Sequence, residues 1–276
     1  MKELIILGVK GFIMGIANVI PGVSGGTLAI ILGIYEKLIS AISHFFKNIK
    51  ENLKFIIPIG IGMVLSILLL SKVISFCLDK YTLATILFFI GLILGGIPLL
   101  SKKVKGKVNI SNAIIFLLTF SLVIGVALLN VEGNVSFDNM TFGSYLLLFG
   151  VGVVAAGTMI IPGISGSLVL LTLGYYNPIV DTIKNLTDFS NLFNNMLILV
   201  PFGIGVLVGI IVIAKILEFL FKKFEIKTYF GVMGFVCASL VAIFISTEGL
   251  VFSVPQLLMG IILLLIGFLI AYKLGE

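Results

Sequence analysis

Arginine is absent from this 276-residue chain, histidine occurs once, cysteine occurs twice, and only 11% of the residues are charged. Each scarcity excludes something. An enzyme that cleaves phosphate esters needs cationic clamps with a nucleophile or a metal, and a chain without arginine and with a lone His44 offers neither a metal set nor a nucleophilic triad. No Walker A loop is present, so the energy source is an ion gradient or the substrate's own gradient. Cys77 and Cys237 lie in or beside apolar runs, where free thiols are expected rather than a disulfide or a metal pair. The net charge of +6 is all lysine, placed at the ends of apolar segments. That is the pattern of membrane topology and not of nucleic-acid binding. No metal and no cofactor are expected.

What is present is apolar. Hydrophobic residues make up 60% of the chain and the mean hydropathy is +1.29, more than a soluble domain can hide. Apolar runs recur along the whole length, and no stretch between them is long enough for a soluble domain. Met1 to Lys10 lacks a small-residue cleavage site and reads as part of the mature chain.

The chain repeats itself. Ile20-Pro21-Gly22-Val23-Ser24-Gly25-Gly26 returns as Ile161-Pro162-Gly163-Ile164-Ser165-Gly166-Ser167, and Leu32, Gly33 and Tyr35 are answered by Leu173, Gly174 and Tyr176. Pro58-Ile59-Gly60-Ile61-Gly62 returns as Pro201-Phe202-Gly203-Ile204-Gly205, followed by Lys72 and Phe76 against Lys215 and Phe219. One membrane domain over 1–276 therefore holds repeat 1 at about 1–131 and repeat 2 at about 142–276. Lys10 and Pro21 leave ten mostly apolar residues between them, fewer than the ~20 that cross a bilayer core. A segment entering from about Gly11, breaking at Pro21–Gly26 and turning back by Ser43 fits better, and the second break sits within about Phe142–Ile183. A tilted pair of full spans beginning near Leu4 is the alternative. Full spans are expected at about Phe55–Phe76, Leu83–Leu100, Ser111–Val131, Met196–Phe219, Tyr229–Ile245 and Pro255–Tyr272.

Charge orients the spans. A cytoplasmic N-terminus puts Lys2, Lys10, Lys47, Lys50, Lys54, Lys102, Lys103, Lys105, Lys107, Lys222, Lys223, Lys227 and Lys273 inside. The outer loops then hold Lys80 and Lys184 with Asp79, Glu132, Asp138, Asp181, Asp188 and Glu248. Both termini are cytoplasmic in this arrangement. Each repeat carries an odd number of crossings, so the second enters from the opposite face. The expected fold is an all-α integral membrane protein. It is an inverted-repeat transporter with two re-entrant, broken helical hairpins plus six transmembrane helices, ten helical segments in all.

The two breaks are the candidate substrate site. Irregular backbone at membrane depth survives only where protein or water covers it. Proline ends the incoming arm, glycine lets the chain turn and a ligand approach, and serine caps the outgoing arm. Exposed N–H groups at a helix start suit a phosphate or carboxylate. The candidates are Asn18, Pro21, Gly22, Ser24, Gly25, Gly26 and Thr27 in the first copy, and Pro162, Gly163, Ser165, Gly166 and Ser167 in the second. A tight helix–helix contact of small residues is the competing reading.

Five residues are candidates for coupling or gating. Glu36 is an acid on one side only of the repeat, answered by Asn177, and either carries a coupling proton or pairs with Lys37; H⁺ or Na⁺ is the candidate coupling ion of the protein. Lys72 and Lys215 either guide an anionic head group or snorkel to the interface. Tyr35 and Tyr176 are site walls or interfacial anchors, and His44 reads as a solvated loop residue.

The string Asn18-Val19-Ile20-Pro21-Gly22-Val23-Ser24-Gly25-Gly26-Thr27, its degenerate second copy and the chain length resemble the PopT-type family, once a domain of unknown function. The resemblance implies a translocase of polyprenyl phosphate (undecaprenyl phosphate) in the bacterial cell membrane. Its implied partners are that lipid phosphate and the membrane lipids. It would return the carrier of peptidoglycan synthesis from the outer to the cytoplasmic leaflet. The second copy departs from the first, with Ser167 for Gly26 and Leu168 for Thr27, so the two breaks would contribute unequally. A secondary transporter of a small soluble anion would use the same breaks. A lipid phosphatase and a transport-inactive scaffold are further alternatives. The sequence sets no oligomeric state.

Overall fold

The computed structural model describes residues 2–18, 24–129, 135–137, 140–187, 191–245, 247 and 253–275. Among these residues the regular structure is helix, without a strand. The first half holds α1 (Lys2–Asn18), α2 (Gly25–Ile31), α3 (Tyr35–Ser43), α4 (Ile49–Lys80), α5 (Thr82–Val104) and α6 (Ile110–Leu128). The second holds α7 (Phe142–Ile160), α8 (Gly166–Thr172), α9 (Tyr176–Lys184), α10 (Leu192–Lys223), α11 (Glu225–Ile245) and α12 (Val254–Gly275), with a short 3-10 turn at Asn185–Thr187 after α9. The halves follow the same succession. α2 and α8 have 7 residues each, α3 and α9 have 9, and α4 and α10 have 32.

Seven helices, α4, α5, α6, α7, α10, α11 and α12, are long and apolar enough to cross a membrane. The protein is a multi-pass membrane protein. At ~1.5 Å per residue α4 and α10 reach about 48 Å, so their ends project beyond a ~30 Å hydrocarbon core or the helices tilt. Each of the six expected spans has its helix. The helices mostly run past the apolar stretches because their lysine-bearing ends stay helical.

Three expectations change. α7, expected as the incoming arm of a re-entrant hairpin, is itself long and apolar enough to cross a membrane, so the candidate spans among the described residues are seven and not six. α1 starts at Lys2 and passes straight through Lys10, which sequence counting treats as a boundary. The Lys10 ammonium reaches along its stem to donate to the Leu32 carbonyl oxygen at 2.6 Å, at the C-terminal end of α2 where a cation is favoured. The ten helical segments are twelve α-helices among the described residues, because the stretch after each break is two helices. Gly33 (φ 66) and Gly174 (φ 76) adopt the left-handed conformation that glycine alone takes freely. In the first half Gly33 N–H donates to Ile30 O and Ile34 N–H to Ala29 O. In the second, Gly174 N–H donates to Leu171 O and Tyr175 N–H to Leu170 O. Both are Schellman endings, which close a helix by satisfying its last carbonyls. Between α2 and α3 the axis bends by 120°.

Close helix crossings hold the bundle. A Cβ on Gly11 or Gly15 of α1 would strike the backbone of Ile59 or Met63 on α4. A Cβ on Gly152 of α7 would strike Phe202 of α10, and one on Gly209 of α10 would strike Val153 of α7. Gly91 and Gly95 of α5 lie likewise on Leu264 and Phe268 of α12, and Gly234 of α11 lies on Phe116 of α6. Small residues let backbones approach where lipid gives no hydrophobic drive for helix association. Along α1 with α4, α7 with α10 and α5 with α12 the contact positions rise together, so the partners run parallel. The α5–α12 and α6–α11 pairs each join one half to the other.

α2 sits at the centre, with all seven of its residues buried. Around it the core includes Leu28, Leu32, Ile39, Ile86, Ile93, Val236 and Ile243. α8 is more peripheral and fully buries only Gly166.

Candidate functional site

The chain leaves α7 at Ile161, whose N–H still closes on the Gly157 carbonyl oxygen, and the carbonyls of Ile160 and Ile161 and the Gly163 N–H lie beyond the helix ladder. Buried backbone groups without partners are costly, so something must answer them. The answer comes from the other half. Thr27, with 0% exposure, accepts the Gly163 N–H on its hydroxyl oxygen at 2.8 Å. The Ser24 hydroxyl faces the Ile161 carbonyl oxygen at 3.4 Å and accepts the Gly26 N–H at 3.2 Å, capping α2. The buried Tyr35 hydroxyl donates to the Ile160 carbonyl oxygen at 3.1 Å.

Glycine makes this approach feasible. A Cβ on Gly26 would lie 2.7 Å from the Ile160 carbonyl oxygen. Gly163 holds φ 83 with the backbone of Phe235 directly behind it. The structure therefore brings Ser24, Gly26 and Thr27 against Pro162 and Gly163, in the middle of a core of isoleucine and leucine. Gly25 and Asn18 adjoin this contact. The Asn18 side chain, exposed at the end of α1, has its amide oxygen 2.8 Å from where a Gly25 Cβ would stand. Pro162 is fully buried, and Ser165 is buried with its hydroxyl 2.8 Å from that of Ser167. Gly166 packs on Met159. Pro21 and Gly22 lie outside the described residues, as do Glu132, Asp138, Asp188 and Glu248 of the expected outer loops.

Other candidates stand apart. Glu36 does not pair with Lys37, whose ammonium lies over the Phe55 ring, 4.8 Å from its centroid. Glu36 instead accepts from the Tyr229 hydroxyl of α11, and its carboxylate is 3.9 Å from the Lys103 ammonium of α5. These groups line a cavity of about 610 Å³ that reaches Tyr35. Lys72 is exposed on α4. Lys215, its repeat counterpart, lines a different cavity of about 510 Å³ with His44 and Glu218. Tyr176 is half-buried, and the adjacent Tyr175 is buried beside Phe137.

Sequence reading missed Glu218. Its side chain is only 13% exposed, and it takes the Lys222 ammonium at 2.8 Å and the His44 ring at 3.3 Å. It also accepts from the Ser43 hydroxyl. His44 is thus not simply solvated: it helps tie the end of α3 to α10. The available signal was an acid inside an apolar run with a lysine four residues on. Beside the break itself, Ile161 and Pro162 line an apolar cavity of about 340 Å³ between α6, α10 and α11, which Lys227 and Thr228 also border.

A multi-span apolar bundle whose two halves meet through broken, polar segments in the core defines the class, a multi-pass membrane transporter rather than an enzyme. The VCA0040-like family model, described as undecaprenyl phosphate translocase-like, matches residues 14–257, and the chain belongs to that family. It is 33% identical over 272 residues to a polyprenyl-phosphate transporter of Staphylococcus aureus (strain NCTC 8325 / PS 47), covering 97% of this chain and 94% of that one. It is 28% identical over 246 residues to a polyprenyl-phosphate transporter of Vibrio cholerae serotype O1 (strain ATCC 39315 / El Tor Inaba N16961), covering 84% and 74%. No solved structure matches the chain.

Proposed function

We propose that the protein carries polyprenyl phosphate between the leaflets of a bacterial cell membrane. It returns undecaprenyl phosphate from the outer to the cytoplasmic leaflet for another round of cell-wall synthesis. The observation that carries this reading is the Thr27–Gly163 contact, where the two breaks meet inside an apolar core.

A phosphate on a long isoprenoid cannot cross hydrocarbon unaided, because an isolated charge there is too costly. The hydroxyls of Ser24, Thr27, Ser165 and Ser167 and the backbone N–H groups around Gly25, Gly26, Gly163 and Gly166 are the donors for it. Closed, the two breaks satisfy one another. A phosphate between them replaces those mutual hydrogen bonds, so it favours the state in which the tips have separated. A ligand shifts a conformational equilibrium only through such differential binding. The tail stays in lipid, and the apolar cavity beside Pro162 supports a lipid cargo over a small soluble anion.

Alternating access follows from inverted repeats, and helix register supports the inversion. α5 runs parallel to α12, while α5 and α6 join through the short 105–109 connection. The repeat counterparts α6 and α12 thus run in opposite senses. With both termini cytoplasmic, the lysine-rich ends of α5, α10 and α12 face the cytoplasm. The test is leaflet-resolved movement of undecaprenyl phosphate in proteoliposomes, run beside uptake of inorganic phosphate. Lipid movement without phosphate uptake supports the proposal, and the reverse assigns a small-anion transporter.

A further inference from the structure

We propose that the cavity between α3, α5 and α11 is a second phosphate-monoester site, a head-group station that Glu36 occupies when no substrate is present. This rests on the lipid-phosphate reading above. The cavity, about 610 Å³, is lined by Tyr35, Glu36, Lys37, Ser40, Lys103 and Tyr229. Tyr35 is shared with the central contact, since its hydroxyl donates to the Ile160 carbonyl oxygen. Through Tyr35 the cavity adjoins the segment that carries the central contact.

Its donors already hold an anion. The Glu36 carboxylate accepts from the Tyr229 hydroxyl and stands 3.9 Å from the Lys103 ammonium. Lys103 also lies over the Tyr229 ring, 5.2 Å from the centroid, which fixes the two donors relative to each other. Lys37, next in sequence, borders the cavity but holds its ammonium over the Phe55 ring rather than on Glu36, so Lys103 is the cation of the pair.

A phosphate monoester carries about −1.5 to −2 charges near neutral pH and three acceptor oxygens, against one charge for a carboxylate. On Lys103 and Tyr229 it outcompetes Glu36. The side chains of Lys103 (48% exposed) and Glu36 (60% exposed) have room to exchange partners. Glu36 is thus a resident competitor: it keeps the cation paired in the empty state and releases it to the arriving head group. Its carboxylate also pushes a departing phosphate away.

The sign of one substitution separates this from a purely structural ion pair. Equilibrium binding of farnesyl phosphate to the full chain in nanodiscs is measured with farnesol as the phosphate-free control. Lys103→Gln weakens farnesyl phosphate binding by about tenfold, the size of one lost charged hydrogen bond. Tyr229→Phe weakens it in the same direction and carries the test if Lys103→Gln does not fold. Glu36→Gln tightens it. If Glu36→Gln weakens binding alongside Lys103→Gln, or all three variants bind as the wild type does, the station is overturned while the transport reading stands. A wild type that binds farnesyl phosphate no better than farnesol overturns both.

Discussion

The hydroxyl of Thr27, in the first half of the chain, accepts the backbone N–H of Gly163, in the second, at 2.8 Å. Neither group has water available, and each would be a buried liability alone. The pairing joins two segments that repeat one sequence motif, and on the proposed mechanism a phosphate replaces the bond when they separate.

Removing that acceptor without changing shape is the first prediction. Thr27→Val leaves the Gly163 N–H buried and unpaired, which costs about 1–3 kcal/mol. Thr27→Ser keeps the oxygen and loses less. Thermal unfolding of the purified protein in detergent should rank wild type, Thr27→Ser and Thr27→Val in descending order.

Three glycines with left-handed backbone should separate by surroundings. Gly33 (φ 66) has nothing within 4 Å of an added Cβ, so Gly33→Ala bears only conformational strain of about 1 kcal/mol. Gly163 (φ 83) adds a clash with the Phe235 backbone, so Gly163→Ala costs more, about 2–4 kcal/mol. Gly106 (φ 72) sits in a turn with open space, and Gly106→Ala should resemble Gly33→Ala. Unfolding midpoints of the three variants check the order.

The Glu218 cluster should prove structural. Glu218→Leu leaves the Ser43 hydroxyl, the His44 ring and the Lys222 ammonium without their common acceptor, and should cost about 1–3 kcal/mol. His44→Asn removes one half-exposed partner and should cost below ~1 kcal/mol. Lowered stability with unchanged transport per folded molecule is the expected pattern.

Orientation is open to direct labelling. In a background with Cys77 and Cys237 replaced, Lys107→Cys should react with an impermeant thiol reagent only from the cytoplasmic side. Lys184→Cys should react only from outside, in keeping with the lysine asymmetry. Labelling of both from one side would contradict the inverted arrangement.

Much of this architecture is legible in the sequence, for identifiable reasons. A bilayer demands long apolar stretches, so the spans from Phe55 to Tyr272 stand out wherever charge is absent for ~20 residues. The two Pro-Gly-x-Ser-Gly strings are visible because a break in such a stretch is rare. Lys10 misleads because a lysine stem is long enough for its ammonium to reach the Leu32 carbonyl while its Cα stays in the helix. The breaks at Gly33 and Gly174 were available in the matched Leu-Gly-x-Tyr strings, where a glycine after an apolar run marks a helix end. The partners of Glu36 and His44 are not legible locally. Tyr229 and Lys103 reach Glu36 from distant helices, and only the folded bundle brings Glu218 to His44.

The most direct test of the central claim is leaflet-resolved undecaprenyl phosphate movement in proteoliposomes, comparing wild type with Thr27→Ser and Thr27→Val at equal amounts of folded protein. The account predicts movement by the wild type, retention in Thr27→Ser and a loss of tenfold or more in Thr27→Val, about the effect of one buried hydrogen bond to the moving group. Thr27→Val protein that folds and moves the lipid at the wild-type rate would contradict a central phosphate site at the meeting of the two breaks.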